Sequence, residues 1–141
     1  MGGTDAEEVR AAVGEMIDAL NAGDAGRLRP LLSQRTDAVH IGTDAEEWNT
    51  SKEILDDMAA GSDGDVQAAA GSDGDVQVVV DDLDVHVQGD VAWVEGRGRF
   101  TNRSGAQRQV RMTSVLVREH GRWTLAQSHA SIGVPNADIF R

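Results

Sequence analysis

Apolar residues recur at helical spacing near the start of the chain. Val9, Ala12, Val13, Met16, Ile17 and Leu20 fall three or four apart, which predicts an amphipathic helix. Thr4-Asp5-Ala6-Glu7 precedes them as a capping box, and Asn21-Ala22-Gly23 closes the helix with Gly23 as its C-cap. Asp24 caps a shorter second helix carrying Leu28, Leu31 and Leu32, which Pro30 limits or opens from its first turn. Asp37 to Gly42 reads as a short strand, followed by a polar link that ends in Trp48. Thr50-Ser51-Lys52-Glu53 is a second capping box, and it opens a helix with Ile54, Leu55 and Met58.

After residue 76 the period changes from helical to two, the period of a strand. Leu83, Val85 and Val87 alternate with Asp82, Asp84 and His86, and Gln88-Gly89 is the expected hairpin turn. Asp90–Thr101, Ala106–Glu119 and the stretch from Arg122 follow as strands, with turns at Asn102–Gly105 and His120-Gly121. Helices grouped first and strands grouped last predict an α+β fold, with helices on one face of a curved antiparallel sheet. Symmetrical turns pair Arg97 with Val110, Glu95 with Met112, Met112 with His129 and Ser114 with Gln127. One face then collects Trp93, Glu95, Arg97, Met112, Ser114, Gln127 and His129. That mixture of apolar and polar groups suits a ligand cavity. The other face, with Ala92, Val94, Gly96, Gly98, Ser128 and Ala130, is small and flat, and is expected on the outside as a dimer surface. A single bulge would exchange the two.

One segment has neither period. Ala59-Ala60-Gly61-Ser62-Asp63-Gly64-Asp65-Val66-Gln67 recurs letter for letter from Ala69 to Gln77. Gly, Ser and Asp at that density predict a surface loop. The spacing lacks the alternating ligands and closing Glu of a calcium loop. The chain is therefore expected to form one domain over residues 1–141, with a duplicated ten-residue loop near 59–77.

Composition narrows the partners. The 141 residues carry a net charge of −11, which repels nucleic acid and anionic membrane surfaces. Cysteine is absent, so thiolate chemistry and zinc–thiolate sites are excluded, and tyrosine is absent, so no phenol can act as a donor. The acidic N-terminus has no apolar run of a signal peptide, and a cytoplasmic location is the expectation.

Four segments together resemble the SnoaL-like branch of the nuclear transport factor 2-like superfamily. They are the helix pair joined at Asn21-Ala22-Gly23-Asp24, Val39-His40-Ile41-Gly42-Thr43-Asp44 with Glu47-Trp48, Gly89-Asp90-Val91-Ala92-Trp93-Val94, and Gly121-Arg122-Trp123-Thr124-Leu125 leading to Ser128-His129-Ala130-Ser131. The resemblance implies a cone-shaped α+β half-barrel, usually a homodimer, with a deep pocket. A small-molecule ligand and no cofactor are expected. Activities in the family include cyclases, isomerases, dehydratases and hydrolases, and many members have no known reaction. The ketosteroid isomerase pattern places a catalytic Asp about nine residues before a helix-opening Gly. Here Ser51 stands for that Gly, the count lands near Gly42, and Asp44 is the nearest carboxylate.

The candidate site follows from the faces and the resemblance. His129 is the candidate general acid/base, against a core histidine bonded to Gln127 or Ser114. His40 and Asp44 are candidate helpers, His40 against a buried structural role. Trp48 and Trp93 are cavity walls or plain core. Glu95 and Arg97 orient a polar group or pair with each other at the rim, and Met112, Ser114 and Gln127 complete the ligand contacts. Asp82, Asp84 and His86 lie in line on one strand and cannot easily converge on a metal. The alternative to a cofactor-free enzyme is a non-catalytic ligand-binding or dimerisation module.

Overall fold

The computed structural model describes residues 3–60 and 76–141. Most of the duplicated segment falls at 61–75, outside the described residues. Helix α1 (Asp5–Ala22) starts at Thr4, whose hydroxyl accepts from the Glu7 N–H at 3.2 Å. It ends at Gly23, which takes the left-handed φ of 64° that a C-cap requires. Helix α2 (Ala25–Leu28) is capped by Asp24 and passes into a 3-10 turn at Arg29–Leu31, with Pro30 at its start. Strands β1 (Val39–Ile41) and β2 (Trp48–Asn49) come next, and then helix α3 (Ser51–Ala59) with a complete Thr50/Glu53 capping box. Four long strands follow: β3 (Gln77–Gln88), β4 (Val91–Thr101), β5 (Gln107–Glu119) and β6 (Arg122–Ser131).

The described strands form one sheet in the order β2-β1-β6-β5-β4-β3. All pairs are antiparallel except β1 with β6, which is parallel. The helices pack on one face. Val9, Met16 and Ala19 of α1, Leu28 of α2 and Leu55 of α3 bury against Ala92, Val94, Leu116 and Trp123. Arg118 lies 4.5 Å over the Trp123 ring and pairs with Asp5 at 2.9 Å, so a cation–π contact and an ion pair tie the start of α1 to the sheet. The other end of α1 is held by Asn21. Its amide donates to the Val78 carbonyl at 2.9 Å and accepts from the Val78 N–H at 2.8 Å, completing the ladder of β3 where no strand does.

The register differs from the symmetrical-turn expectation, always by one residue. The first hairpin turns at Gly89-Asp90, where Gln88 pairs with Val91 and Gly89 has a φ of 61°. The loop between β4 and β5 is five residues, 102–106, so Thr101 pairs with Gln107 rather than Ala106. The Asn102 side chain holds the fifth residue by accepting from the Ala106 N–H at 2.9 Å. The turn at His120-Gly121 does pair Glu119 with Arg122. A bulge then follows, Leu116 facing Leu125 while Val115 faces Gln127.

A one-residue slip sends every side chain to the opposite face. Relative to β5, both β4 and β6 have slipped. The helix-covered face therefore combines Met112 and Ser114 with Ala92, Val94, Gly96, Gly98, Ser128 and Ala130. The small residues expected on an outer dimer surface line the interior. Trp93, Glu95, Arg97 and Gln127, expected inside, are exposed on the other side. Gly98 shows why the inner face is small. A Cβ there would stand 2.1 Å from the Val79 carbonyl oxygen, because β3 bulges between Val80 and Asp82 and bends across β4.

Candidate functional site

A cavity of about 450 Å³ lies between α1 and the inner face of the sheet. Val13, Met16, Ile17 and Leu20 of α1 form one wall. Val78, Leu83, Val94 and Met112 form much of the opposite one. Gly96 also borders it, with Leu83 and the Asp82 carbonyl packed close where a Cβ would stand.

The described residues that border the cavity are mostly apolar, with a minority of polar groups. Ser114 and Ser128 sit side by side, since β5 pairs with β6 at those residues. The row continues in both directions, with Val94 beyond Ser114 and His40 beyond Ser128. His40 is only 5% exposed. Its Nδ1 lies 2.9 Å from Ser128 Oγ and its Nε2 lies 3.0 Å from Ser51 Oγ, so both ring nitrogens are satisfied. Burial pushes this imidazole from its usual 6.5 down to about 4, which keeps it neutral at physiological pH. Ser51 is the first residue of α3. One continuous chain thus runs from the N-terminus of α3 through a neutral histidine to a hydroxyl on the cavity.

Among the described residues, Glu47 and Arg108 border the cavity as an acidic and a basic side chain, beside His129. Glu47 braces the loop after β1 by accepting from the Asp44 N–H at 2.9 Å. It packs over Gly42, where an added Cβ would come within 2.1 Å of Glu47 Oε2. Arg108 donates to the neighbouring Gln107 carbonyl.

Among the expected site residues, Met112, Ser114 and His129 border the cavity. His129, exposed and paired with Thr113 and Ile41 rather than Met112, comes off the outer side of β6 and is not the inner-face acid/base that the expected register gave. The other placements need correction. Trp93 is 43% exposed and stacks on His86 at 5.6 Å, across β3. Glu95 takes His86 as its partner at 2.9 Å instead of Arg97. Arg97 faces Asp82 and Arg111 across the sheet, and Gln127 faces Val115, all on the outer side. Trp48 is 69% exposed on β2 and walls nothing. Asp44 sits in the exposed loop, accepting from the Glu46 N–H. His40 stands one layer behind the cavity and reaches it through Ser128.

Sequence reasoning missed Ser128 and Ser51. Ser51 reads there as part of a capping box and Ser128 as part of the flat face. The parallel β1–β6 pair brings Ser128 to His40, and the start of α3 brings Ser51. Asn21, read as a helix terminator, also anchors β3. Among the described residues no three side chains of the metal-binding kind converge, and no helix is long and apolar enough to cross a membrane.

Comparison with solved structures identifies the fold. A candidate dehydratase of the nuclear transport factor 2-like family from Streptomyces avermitilis is 22% identical, with 93% of this chain and 97% of that one covered and a TM-score of 0.74. A nuclear transport factor 2-like protein of unknown function from Pseudomonas putida is 16% identical over 96% of this chain and 92% of its own, with a TM-score of 0.74. A superfamily protein from Salmonella enterica is 14% identical over 96% and 95%, with a TM-score of 0.75. No curated protein matches the chain. Residues 9–135 match the family described as the SnoaL-like domain, and the chain belongs to that family.

Proposed function

We propose that this SnoaL-like domain binds a small, largely apolar, oxygen-bearing molecule in the cavity between α1 and the sheet. The observation that carries this reading is the cavity itself. About 450 Å³ falls within the usual range for small-molecule sites, and apolar walls with a few convergent hydroxyls are the usual lining. The strongly curved sheet, read as the family's cone, would be the frame that holds the space open. A cofactor-free conversion of the bound molecule is the chemical extension, of the dehydratase kind for which the Streptomyces neighbour is named or of the cyclase, isomerase or hydrolase kind.

Titration with 2-ethylnaphthalene tests the binding reading, followed through the methyl resonances of Val13, Ile17, Leu20, Val94 and Met112. Saturable shifts at those methyls are expected. Shifts confined to outer-face methyls such as Val91 and Val115, or none at all, overturn it.

A second reading, a non-catalytic binding and dimerisation module, is favoured by the outer face. Val91 and Trp93 are each 43% exposed there, beside the His86–Glu95 pair. Around a two-fold axis this face can cover its own copy. Sedimentation equilibrium of the parent and a Trp93→Asp variant tests it, with a dimer expected only for the parent.

A further inference from the structure

The chain Ser51–His40–Ser128 has a direction, and the direction decides what the cavity can hold. A neutral imidazole donates from one nitrogen and accepts at the other. Ser51 is the first residue of α3, whose N-cap is Thr50. The backbone N–H groups at such a helix end create positive potential, which favours a lone pair over an N–H pointing toward it. Nε2 therefore accepts from the Ser51 hydroxyl, and Nδ1–H donates to Ser128 Oγ at 2.9 Å. With that oxygen accepting from His40, the Ser128 O–H is free to donate elsewhere, and Ser128 borders the cavity. Ser114 faces it across the β5–β6 pair. The Cβ atoms of such a pair stand about 5 Å apart, close enough for both hydroxyls to reach one oxygen.

We propose that Ser128 and Ser114 form a two-hydroxyl donor site for the carbonyl oxygen of an apolar ligand, with His40 as the positioning residue that aims Ser128. This rests on the cavity-binding reading and names the class of ligand, a hydrophobic ketone, aldehyde or ester. Each donor in the chain polarises the next, so the terminal hydroxyl is a stronger donor than an isolated serine. Two donors converging on one oxygen also stabilise that oxygen as it gains charge, which is what an enolate or tetrahedral intermediate requires. Because His40 is neutral, the relay supplies hydrogen bonds and no net charge, which suits an uncharged carbonyl better than a carboxylate.

Two probes test this, 2-acetylnaphthalene and its oxygen-free counterpart 2-ethylnaphthalene. In the parent protein the infrared carbonyl band of bound 2-acetylnaphthalene is expected below its position in an apolar solvent. Ser128→Ala is expected to weaken the ketone about tenfold, the worth of one hydrogen bond, and to leave 2-ethylnaphthalene unchanged. His40→Gln is expected to raise the carbonyl band although residue 40 does not touch the ligand, which a purely structural role would not do. A band at its apolar-solvent position, with equal ketone affinity in parent and Ser128→Ala, overturns the donor site and leaves the cavity reading standing. Binding of neither probe overturns both. Nitrogen-15 spectra of the unaltered protein provide a check free of folding effects. Protonation of His40 at Nδ1 supports the relay, and protonation at Nε2 overturns it.

Discussion

The two faces of strands β4 to β6 differ sharply in burial. On β4 alone, Ala92 and Val94 are at most 4% exposed, while Val91 and Trp93 beside them are each 43% exposed. The inner face is small because it must fit under three helices and still leave a cavity. The outer face carries the bulk and the charge, in Trp93, Glu95, Arg97, Arg111 and His86. Side-chain size thus runs opposite to burial on this strand. A large aromatic is not by itself evidence of core.

The largest test of that difference is truncation at matched positions. Leu116→Ala on the inner face removes a fully buried side chain and is expected to cost about 2–5 kcal/mol of unfolding free energy. Thr113→Ala on the outer face, three residues away, is expected to stay within about 0.5 kcal/mol. Chemical denaturation of both variants checks this. Comparable losses would mean that the two faces are not inside and outside.

The next effect depends on pH. Folding holds His40 at about 4, whereas an unfolded histidine titrates near 6.5. The unfolded chain therefore takes up a proton before the folded one does. The stability this group provides is complete above pH 6.5 and is lost as pH falls toward 4, at about 1.4 kcal/mol per pH unit and about 3 kcal/mol in all. Denaturation midpoints of the parent and His40→Gln, measured at each half unit from pH 7 to 4.5, isolate the effect. The difference between them is expected to shrink with acid, and a constant difference would place His40 in contact with solvent.

A smaller effect is expected at Gly98. Any side chain there meets the Val79 carbonyl, so Gly98→Ala must push β3 away from β4. A loss of about 1–3 kcal/mol is expected from overpacking. An unchanged denaturation midpoint would show that the bend at the β3 bulge can relax.

Helices α1 and α3, the N-caps and the four long strands were legible in the sequence, because each is set by local spacing. Helix α2, by contrast, stops at Leu28, short of the Leu31 and Leu32 expected on it. Thr4, Thr50, Gly23 and Asp24 act where the pattern placed them. The candidate site depended instead on which strand face lies inward. That parity is set by one extra loop residue, held by the Asn102 side chain, and by one bulge near Ala126. Neither leaves a periodic trace. One lies in a turn and the other in the middle of β6, so two errors of one residue moved Trp93, Glu95, Arg97 and Gln127 outside. Met112 and Ser114 stayed inside because they belong to β5, the strand against which both neighbours slipped. The Ser51–His40–Ser128 chain was illegible for a different reason. It joins residues 88 positions apart through a parallel strand pair that local pattern does not encode.

The subtlest prediction concerns what the outer face is for. Trp93 stacks on His86 at an interplanar angle of 20° and remains 43% exposed, so in an isolated chain its ring contributes little beyond that stack. Trp93→Ala should then cost about 0.5–1.5 kcal/mol, the worth of an aromatic pair. If the face is covered by a second copy, the cost must grow with protein concentration, because subunit association adds to apparent stability by mass action. Thermal unfolding of the parent and Trp93→Ala, at concentrations a hundredfold apart, separates the two cases. A midpoint that rises with concentration only in the parent makes the outer face an interface built around Trp93. A midpoint independent of concentration in both proteins leaves that face to solvent.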